Sequence, residues 1–253
     1  MDRKDISVFI LGAGLGTRLK PITDTTPKVM VEVAPGIPLL EHAIKGLRNQ
    51  GFSRFVINLH YLPDVIRNYF KDGSNFGVSI EYSDESDGIL DTAGAIKKAA
   101  DKLSDTFILL YGDQLHTFDL SDLINKHRDS NPHITLLLKR SDLPQNGDMA
   151  RVDESGNIVE WIARPHPHTQ YGPGMYLNTG AYVIQKASVL PLITQEVMNF
   201  DKAIIPLMIS SNMPISAVPT QSEVLDIGTV DKLNYARDWY NRNFNLIRSW
   251  YGE

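Results

Sequence analysis

Three glycines stand close together in Leu11-Gly12-Ala13-Gly14-Leu15-Gly16-Thr17-Arg18, and two cations, Arg18 and Lys28, follow them. Glycines clustered after an apolar strand let backbone amides approach phosphate oxygens, and cations beside them balance the anionic charge. The spacing is not that of a dinucleotide fold. Gly12-x-Gly14 would need Gly or Ala at position 17, where Thr17 stands. Pro21 and Pro27 fall where the helix of that motif would run, and a mid-helix proline costs about 3 kcal/mol. No Gly-Lys-Ser/Thr follows the glycines either, which excludes a Walker A loop. A turn without a ligand is the weaker reading, because Arg18 and Lys28 bring cations to the exposed amides.

Two carboxylates stand where a metal ion would be useful. Asp113 follows the apolar run Phe107–Tyr111 and Gly112, which puts it at the carboxyl edge of a sheet, where open α/β sheets bind ligands. Asp226 closes the short run Glu223–Ile227 ahead of Gly228 and Thr229. Mg²⁺ commonly takes one or two protein carboxylates and completes its shell with water and phosphate oxygens. Read alone, Asp226 would also serve as a helix cap, although Thr229 is the better placed cap. His166 and His168 alternate with prolines, so their side chains diverge and the segment reads as a solvated loop rather than a metal pair.

The segment from Leu11 to Lys28 and on through Val29-Met30-Val31-Glu32-Val33 resembles the sugar-1-phosphate nucleotidyltransferases. Their pattern is L-x-G-G/A-x-G-T-R-L-x-P-L-T followed by P-K-x-x-x-P/E-V. The resemblance implies a loop of Leu11, Gly12, Ala13, Gly14, Gly16 and Thr17 around the phosphates of a nucleoside triphosphate. It assigns Arg18 to the β/γ-phosphates and Lys28 to the reacting phosphates. It also makes Asp113 and Asp226 the ligands of Mg²⁺, with Arg18, Lys28 and Asp113 as the catalytic set. Leu90-Asp91-Thr92-Ala93-Gly94-Ala95 resembles the family's L-G-T-A-G-A segment against the base, with Asp91 where Gly is usual. Glu85, nearby, is either an acceptor for a guanine edge or an exposed surface acid. Asn178-Thr179-Gly180 resembles the N-x-G segment that meets the sugar. Trp161-Ile162-Ala163-Arg164-Pro165 resembles F-x-E-K-P, with Ala163 replacing the sugar-binding Glu and Arg164 replacing the phosphate-binding Lys.

Elements able to position these residues are readable from the hydrophobic pattern. Short β-rich runs occur at Ser7–Leu11, Arg54–Leu59, Val78–Tyr82 and Thr106–Tyr111, alternating with helical spacing at Leu39–Gln50, Asp64–Lys71 and Ala93–Leu103. Strand–helix alternation predicts right-handed crossovers and a mainly parallel sheet. Further on, the pattern predicts a helix over Asp119–Arg128, a strand at Ile134–Lys139 and a hairpin of Arg151–Val152 with Ile158–Ile162. It also predicts a strand at Tyr176–Ile184, helices at Lys202–Ser210 and Val230–Asn243, and a short strand at Glu223–Ile227. Tyr235, Trp239, Tyr240 and Phe244 fall at helical spacing and read as core or subunit-interface residues. We therefore expect one catalytic domain over residues 1–253. Its nucleotide-binding half covers about 1–115, its sugar-phosphate half about 116–240, and a helical tail follows. The resemblance implies a Rossmann-like three-layer α/β/α fold of the nucleotide-diphospho-sugar (GT-A-like) type. Family members often add a C-terminal β-helix, and with few residues left after position 240 none is expected in this sequence.

Composition narrows the alternatives. The chain has 253 residues, 42% of them hydrophobic and 22% charged, a formal net charge of −5 and no cysteine. The acidic balance argues against a nucleic-acid binder. The missing thiols exclude a disulfide scaffold, a cysteine nucleophile and thiolate metal sites. No apolar run approaches a membrane span, and the run Ile6–Leu11 is too short for a signal peptide, so a cytoplasmic protein without membrane contact is expected. Within the family, the combination of Asn58-Leu59-His60-Tyr61, Asp72-Gly73-Ser74-Asn75-Phe76-Gly77 and Leu90-Asp91-Thr92-Ala93-Gly94 looks most like guanylyltransferases acting on D-glycero-α-D-manno-heptose or mannose 1-phosphate. The expected partners are thus GTP and such a sugar phosphate. Uridylyl transfer to N-acetylmuramate or glucose 1-phosphate is the alternative, and a non-catalytic nucleotide-binding homologue is a second. The oligomeric state is left open, a homo-oligomer included.

Overall fold

A computed structural model describes residues 2–140, 144–167 and 172–253. In chain order the elements begin with β1 (Ser7–Leu11), β2 (Glu32–Ala34), β3 (Ile37–Pro38), α1 (Leu39–Asn49), β4 (Arg54–Leu59), α2 (Pro63–Phe70) and β5 (Ser79–Asp84). They continue with α3 (Asp91–Lys98), β6 (Thr106–Tyr111), β7 (Gln114–His116), α4 (Ser121–Ser130), β8 (Ile134–Lys139), β9 (Met149–Val152) and β10 (Ile158–Ile162). The remainder is β11 (Met175–Gln185), α5 (Lys186–Val189), α6 (Ile205–Ser210), β12 (Ile215–Thr220), β13 (Val224–Asp226), α7 (Val230–Arg242) and α8 (Phe244–Tyr251). Among the described residues, no helix is long and apolar enough to cross a membrane.

The chain divides into two compact units, one of Met1–Ile89, Tyr111–Phe118 and Glu223–Glu253, the other of Leu90–Leu110 and Asp119–Ser222. The boundary expected near residue 115 thus falls inside a stretch that belongs with the first unit. The cause is pairing: β7 and β13 form their own antiparallel ribbon, with Asp226 opposite Gln114 and Val224 opposite His116.

In the first unit, β1, β4 and β5 are parallel neighbours, as the strand–helix alternation predicts. Val8, Phe9 and Ile10 of β1 and Phe55, Val56 and Ile57 of β4 are all buried, the pattern of strands covered on both faces. α1 starts after Pro38 and buries Leu40, Ile44 and Leu47 on one stripe. A second apolar cluster gathers Leu19, Val31, Leu115, Ile227, Leu233, Trp239, Tyr240, Trp250 and Tyr251. Its members adjoin Arg18, Asp113 and Asp226 in sequence, so one core anchors all three segments. Trp239 and Tyr240 are core residues as expected, whereas Tyr235 and Phe244 are exposed.

In the second unit, β11 runs antiparallel to β6, β8 and β9, and β12 runs parallel to β8. β12 escapes the sequence pattern because it carries Pro219, a residue that demotes a strand to the sheet edge. The helix expected at Lys202–Ser210 opens earlier, as a wide turn over Phe200–Ile204 capped by the Asn199 side chain on the Lys202 amide. The helix beginning near Leu90 ends at Lys98, five residues short of the predicted end.

Candidate active site

The glycine loop leaves β1 and does not become a helix. It passes through short turns at Thr17–Leu19, Ile22–Asp24 and Lys28–Met30, as Pro21 and Pro27 require. Its start is fixed from behind. The Gly12 N–H donates to Asn58 Oδ1 at 2.6 Å, and Asn58 Nδ2 donates to Glu85 Oε1 at 2.8 Å. Its far side is fixed by Thr23, whose hydroxyl donates to the Gly16 carbonyl at 2.8 Å, while Tyr61 donates to the Thr23 carbonyl at 2.9 Å. Gly16 has φ +63°, and a Cβ there would lie 2.9 Å from Thr23 Cγ2, so both backbone and space demand glycine. Gly14 differs: it is exposed, and a Cβ there would meet nothing within 4 Å among the described residues. Leu15 and Thr17 are also exposed, whereas Gly12 and Ala13 are buried. The loop therefore turns its middle outward, where amides remain accessible.

Glu85 is only 1% exposed. This corrects both expectations for it, because a carboxylate so covered presents no edge to a nucleobase and is no surface acid. It acts on the loop through Asn58. Asn58 stands in the Asn58-Leu59-His60-Tyr61 resemblance without a role of its own, although a lone amide in the apolar run of β4 is a usable signal: buried polar groups must be hydrogen-bonded.

Asp113 is positioned by Gly112, whose N–H donates to the Leu11 carbonyl at 3.1 Å. A Cβ on Gly112 would lie 2.6 Å from that same carbonyl, so no side chain fits. Lys28, 9% exposed, sets its ammonium 2.5 Å from Asp113 Oδ2. Asp226 is brought to the same ribbon through the Ile227 N–H, which donates to the Asp113 carbonyl at 3.2 Å. Its Oδ1 accepts the Gly228 N–H at 2.7 Å and its Oδ2 accepts the Lys232 ammonium at 2.6 Å. Burial raises the Asp226 pKa, but Lys232, then Lys28 and the Gly228 amide, outweigh it and hold the carboxyl below its ordinary value. Thr229, not Asp226, caps α7, accepting from the Lys232 amide. Arg18 is exposed, and its Nη2 lies 2.9 Å from where a Gly228 Cβ would stand. The first unit therefore assembles the loop, both cations and both carboxylates.

The second unit holds the other predicted residues. Arg164 and Asn178 are both tied to Asp148, a 7% exposed residue that sequence reasoning missed because its Gly147-Asp148 context reads only as a turn. The Arg164 amide donates to Asp148 Oδ1 at 2.7 Å and its guanidinium lies 3.6 Å from the same oxygen. The Asn178 amide donates to the Asp148 carbonyl at 2.8 Å. β11 shifts register against β8 between Asn178 and Tyr182, and Gly180 there has φ +72°. Such bulges re-aim side chains beside active sites. Asn178 Oδ1 accepts the Gly180 N–H at 3.0 Å, its Nδ2 donates to the Tyr182 hydroxyl, and that hydroxyl donates to buried Asp201 at 2.6 Å. At the start of α3, Asp91 has φ +58°, so an L-residue adopts the conformation that the family's usual glycine takes freely. Its Oδ1 accepts from its neighbour's amide and from Asn199 Nδ2, and Thr92 Oγ1 accepts from the Phe200 amide at 2.7 Å. His166 sets Nε2 2.9 Å from the Gly147 carbonyl, and His168 lies outside the described residues.

A glycine loop leaving a parallel strand, with two cations and two strand-end carboxylates gathered in one unit, defines the class as an α/β protein. Residues 7–242 match the Nucleotidyl transferase family, and the chain belongs to it. It is 30% identical over 238 residues to a UTP–glucose-1-phosphate uridylyltransferase of Synechocystis, covering 89% of this chain and 61% of the relative. It is 29% identical over 250 residues to a mannose-1-phosphate guanylyltransferase of Mycobacterium tuberculosis, covering 98% of this chain and 66% of that protein. The chain thus spans less than two thirds of the length of either relative. Its fold, with a mainly parallel central sheet, is shared by HddC from Yersinia pseudotuberculosis at a TM-score of 0.78 and 24% identity, over 93% of this chain and 99% of HddC. HddC has also been crystallised with GMP-PN.

Proposed function

We propose that this chain transfers a nucleoside monophosphate from a nucleoside triphosphate to a sugar 1-phosphate and releases pyrophosphate. The observation that carries the reading is the first unit's arrangement: exposed loop amides around Gly14, with Lys28 on Asp113 and Arg18 beside Gly228 and Asp226. Joining two polyanions needs charge neutralisation and positioning above all. Lys28 stabilises charge on the reacting phosphate, Arg18 on the leaving pyrophosphate, and Arg164 grips the sugar phosphate, bidentately if both its terminal nitrogens engage. The nucleophile is a phosphate oxygen and already anionic, so no general base is required. In-line attack on the α-phosphorus then expels pyrophosphate.

Asp113 and Asp226 are the residues that would hold Mg²⁺, and their chemistry fits a hard cation. Both are oxygen donors, Asp113 just ahead of β7 and Asp226 at the end of β13, and the buried Gln114 Oε1, across the ribbon from Asp226, has no hydrogen-bond partner among the described residues. Among the described residues no group of three or more His, Cys, Asp or Glu is placed to hold a metal, so water and phosphate oxygens must complete the shell. Bound there, the ion supplies additional neutralisation of phosphate oxygens.

Guanylyl transfer to mannose 1-phosphate or D-glycero-α-D-manno-heptose 1-phosphate is the finer reading. It is supported by the mannose-1-phosphate guanylyltransferase that matches 98% of the chain and by the fold shared with HddC, whose complex holds GMP-PN. The uridylyltransferase of Synechocystis favours UTP with glucose 1-phosphate as the second reading. Pyrophosphate release with Mg²⁺, measured for GTP, UTP, CTP and dTTP against mannose, heptose, glucose and N-acetylmuramate 1-phosphates, tests both. Release confined to GTP with a manno-configured sugar is the expected result. Release with another pair overturns the base and sugar, and no release with any pair overturns the activity.

A further inference from the structure

Each carboxylate assigned to the metal carries a lysine ammonium: Lys28 on Asp113 at 2.5 Å and Lys232 on Asp226 at 2.6 Å. The two lysines are held differently. Lys28 is buried in the turn beneath the glycine loop, whereas the Lys232 side chain is 39% exposed on the first turn of α7. That turn is a poor place for a cation. The positive end of the helix dipole lies there, and anions rather than cations are favoured in a first turn. A residue set against its local preference points to a task elsewhere, and here the task is visible, because Lys232 Nζ sits on one of the two oxygens of Asp226. The other oxygen accepts the fixed backbone N–H of Gly228, which cannot be exchanged without moving the loop. The Lys232 contact is the exchangeable one: a half-exposed ammonium on a flexible stem leaves a carboxylate readily.

We infer that Lys232 is a tethered counter-cation of Asp226 that a divalent metal must displace, and that it thereby sets the metal affinity of the site. The inference rests on the proposal that Asp113 and Asp226 hold the metal. Without metal, Lys232 keeps Asp226 charge-balanced and oriented. With metal, the released ammonium becomes a third cation in the neighbourhood of Arg18 and Lys28, carried on a flexible, partly exposed stem. The occupant class is a hard divalent ion, since both donors are carboxylate oxygens.

The test is Mn²⁺ binding to the whole protein without nucleotide, read by the loss of the free-ion paramagnetic resonance signal. Lys232→Met keeps the stem and removes the charge, and it should tighten Mn²⁺ binding by roughly tenfold. Lys232→Arg keeps a competing cation and should stay near the wild-type affinity. Combining Lys232→Met with Asp226→Asn should abolish the gain, since the lysine acts only through that carboxylate. An unchanged affinity in Lys232→Met, with wild type binding Mn²⁺ and Asp226→Asn weakening it, overturns the role of Lys232 alone. Equal, Asp226-independent binding in all the proteins overturns the metal assignment itself, and this inference with it.

Discussion

Asn58 Oδ1 accepts the Gly12 N–H at 2.6 Å, which ties the first glycine of the loop to the middle of the sheet. The same amide donates to Glu85, so one side chain joins a buried backbone donor to a buried carboxylate. Asn58→Ala takes the acceptor from the Gly12 N–H and one donor from Glu85. Leaving a buried polar group unmade costs about 1–3 kcal/mol, so a loss of about that size is expected in urea unfolding. Kinetically, the nucleotide KM should rise about tenfold or more while the sugar-phosphate KM stays put. Equal effects on the two would show that the relay serves the fold and not the loop.

Two glycines separate folding from ligand contact. Gly112→Ala forces a methyl to 2.6 Å from the Leu11 carbonyl, so the protein should lose about 1–3 kcal/mol and move Asp113. Gly14→Ala meets nothing, so its stability should stay within about 0.5 kcal/mol of wild type. Calorimetric titration with the nucleotide should nevertheless show weaker binding if the outward amides meet phosphate. Normal nucleotide affinity in Gly14→Ala would remove the loop from the site.

The cations divide by kinetic signature. With Lys28 at the reacting phosphate as proposed, Lys28→Ala should lower kcat by roughly 10²–10³. Arg164→Ala, if its contact is uniform through the reaction, should raise the sugar-phosphate KM with kcat little changed. An unchanged KM would mean that the phosphate lies away from Arg164, and near-normal turnover in Lys28→Ala would sink its assignment.

Buried imidazoles predict a fold that weakens in acid. His42 is fully buried, with Nε2 at 2.7 Å from the His116 carbonyl and Nδ1 at 2.7 Å from the Tyr251 hydroxyl. Burial pushes its pKa down to about 4, opposed by the His116 carbonyl and helped by Lys45. Burial takes His127 down to about 4 as well, and His116 is lowered by burial and by His42. In the unfolded chain these imidazoles take a proton near pH 6.5, so below that value the unfolded state binds more protons. The stabilisation is therefore complete above about pH 6.5 and disappears as the pH falls through about 4, with fully buried His42 accounting for up to about 3 kcal/mol and His127, less enclosed and better screened, for less. Urea midpoints between pH 7 and 4.5 should fall steadily, and His127→Gln should flatten the slope. A midpoint indifferent to pH would contradict neutral, buried imidazoles.

The amino-acid sequence determined the loop and most strands, because glycine, proline and apolar periodicity act over a few residues. Ser7–Leu11, Arg54–Leu59, Thr106–Tyr111 and Ile134–Lys139 form as their patterns predict. It also marked Arg18, Lys28, Asp113 and Asp226 through contiguous motifs. Only the tertiary structure decided what stands behind them. Asn58 reaches Gly12 across 46 positions, Lys28 reaches Asp113 across 85, and Asp148 joins Arg164 to Asn178 from a plain turn. The pairing of β7 with β13 draws residues 223–253 into the first unit, a long-range event that no local period encodes. The conversion of Glu85 from a candidate base contact to a buried support has the same origin. Burial depends on what packs against a residue, and those partners come from distant parts of the chain.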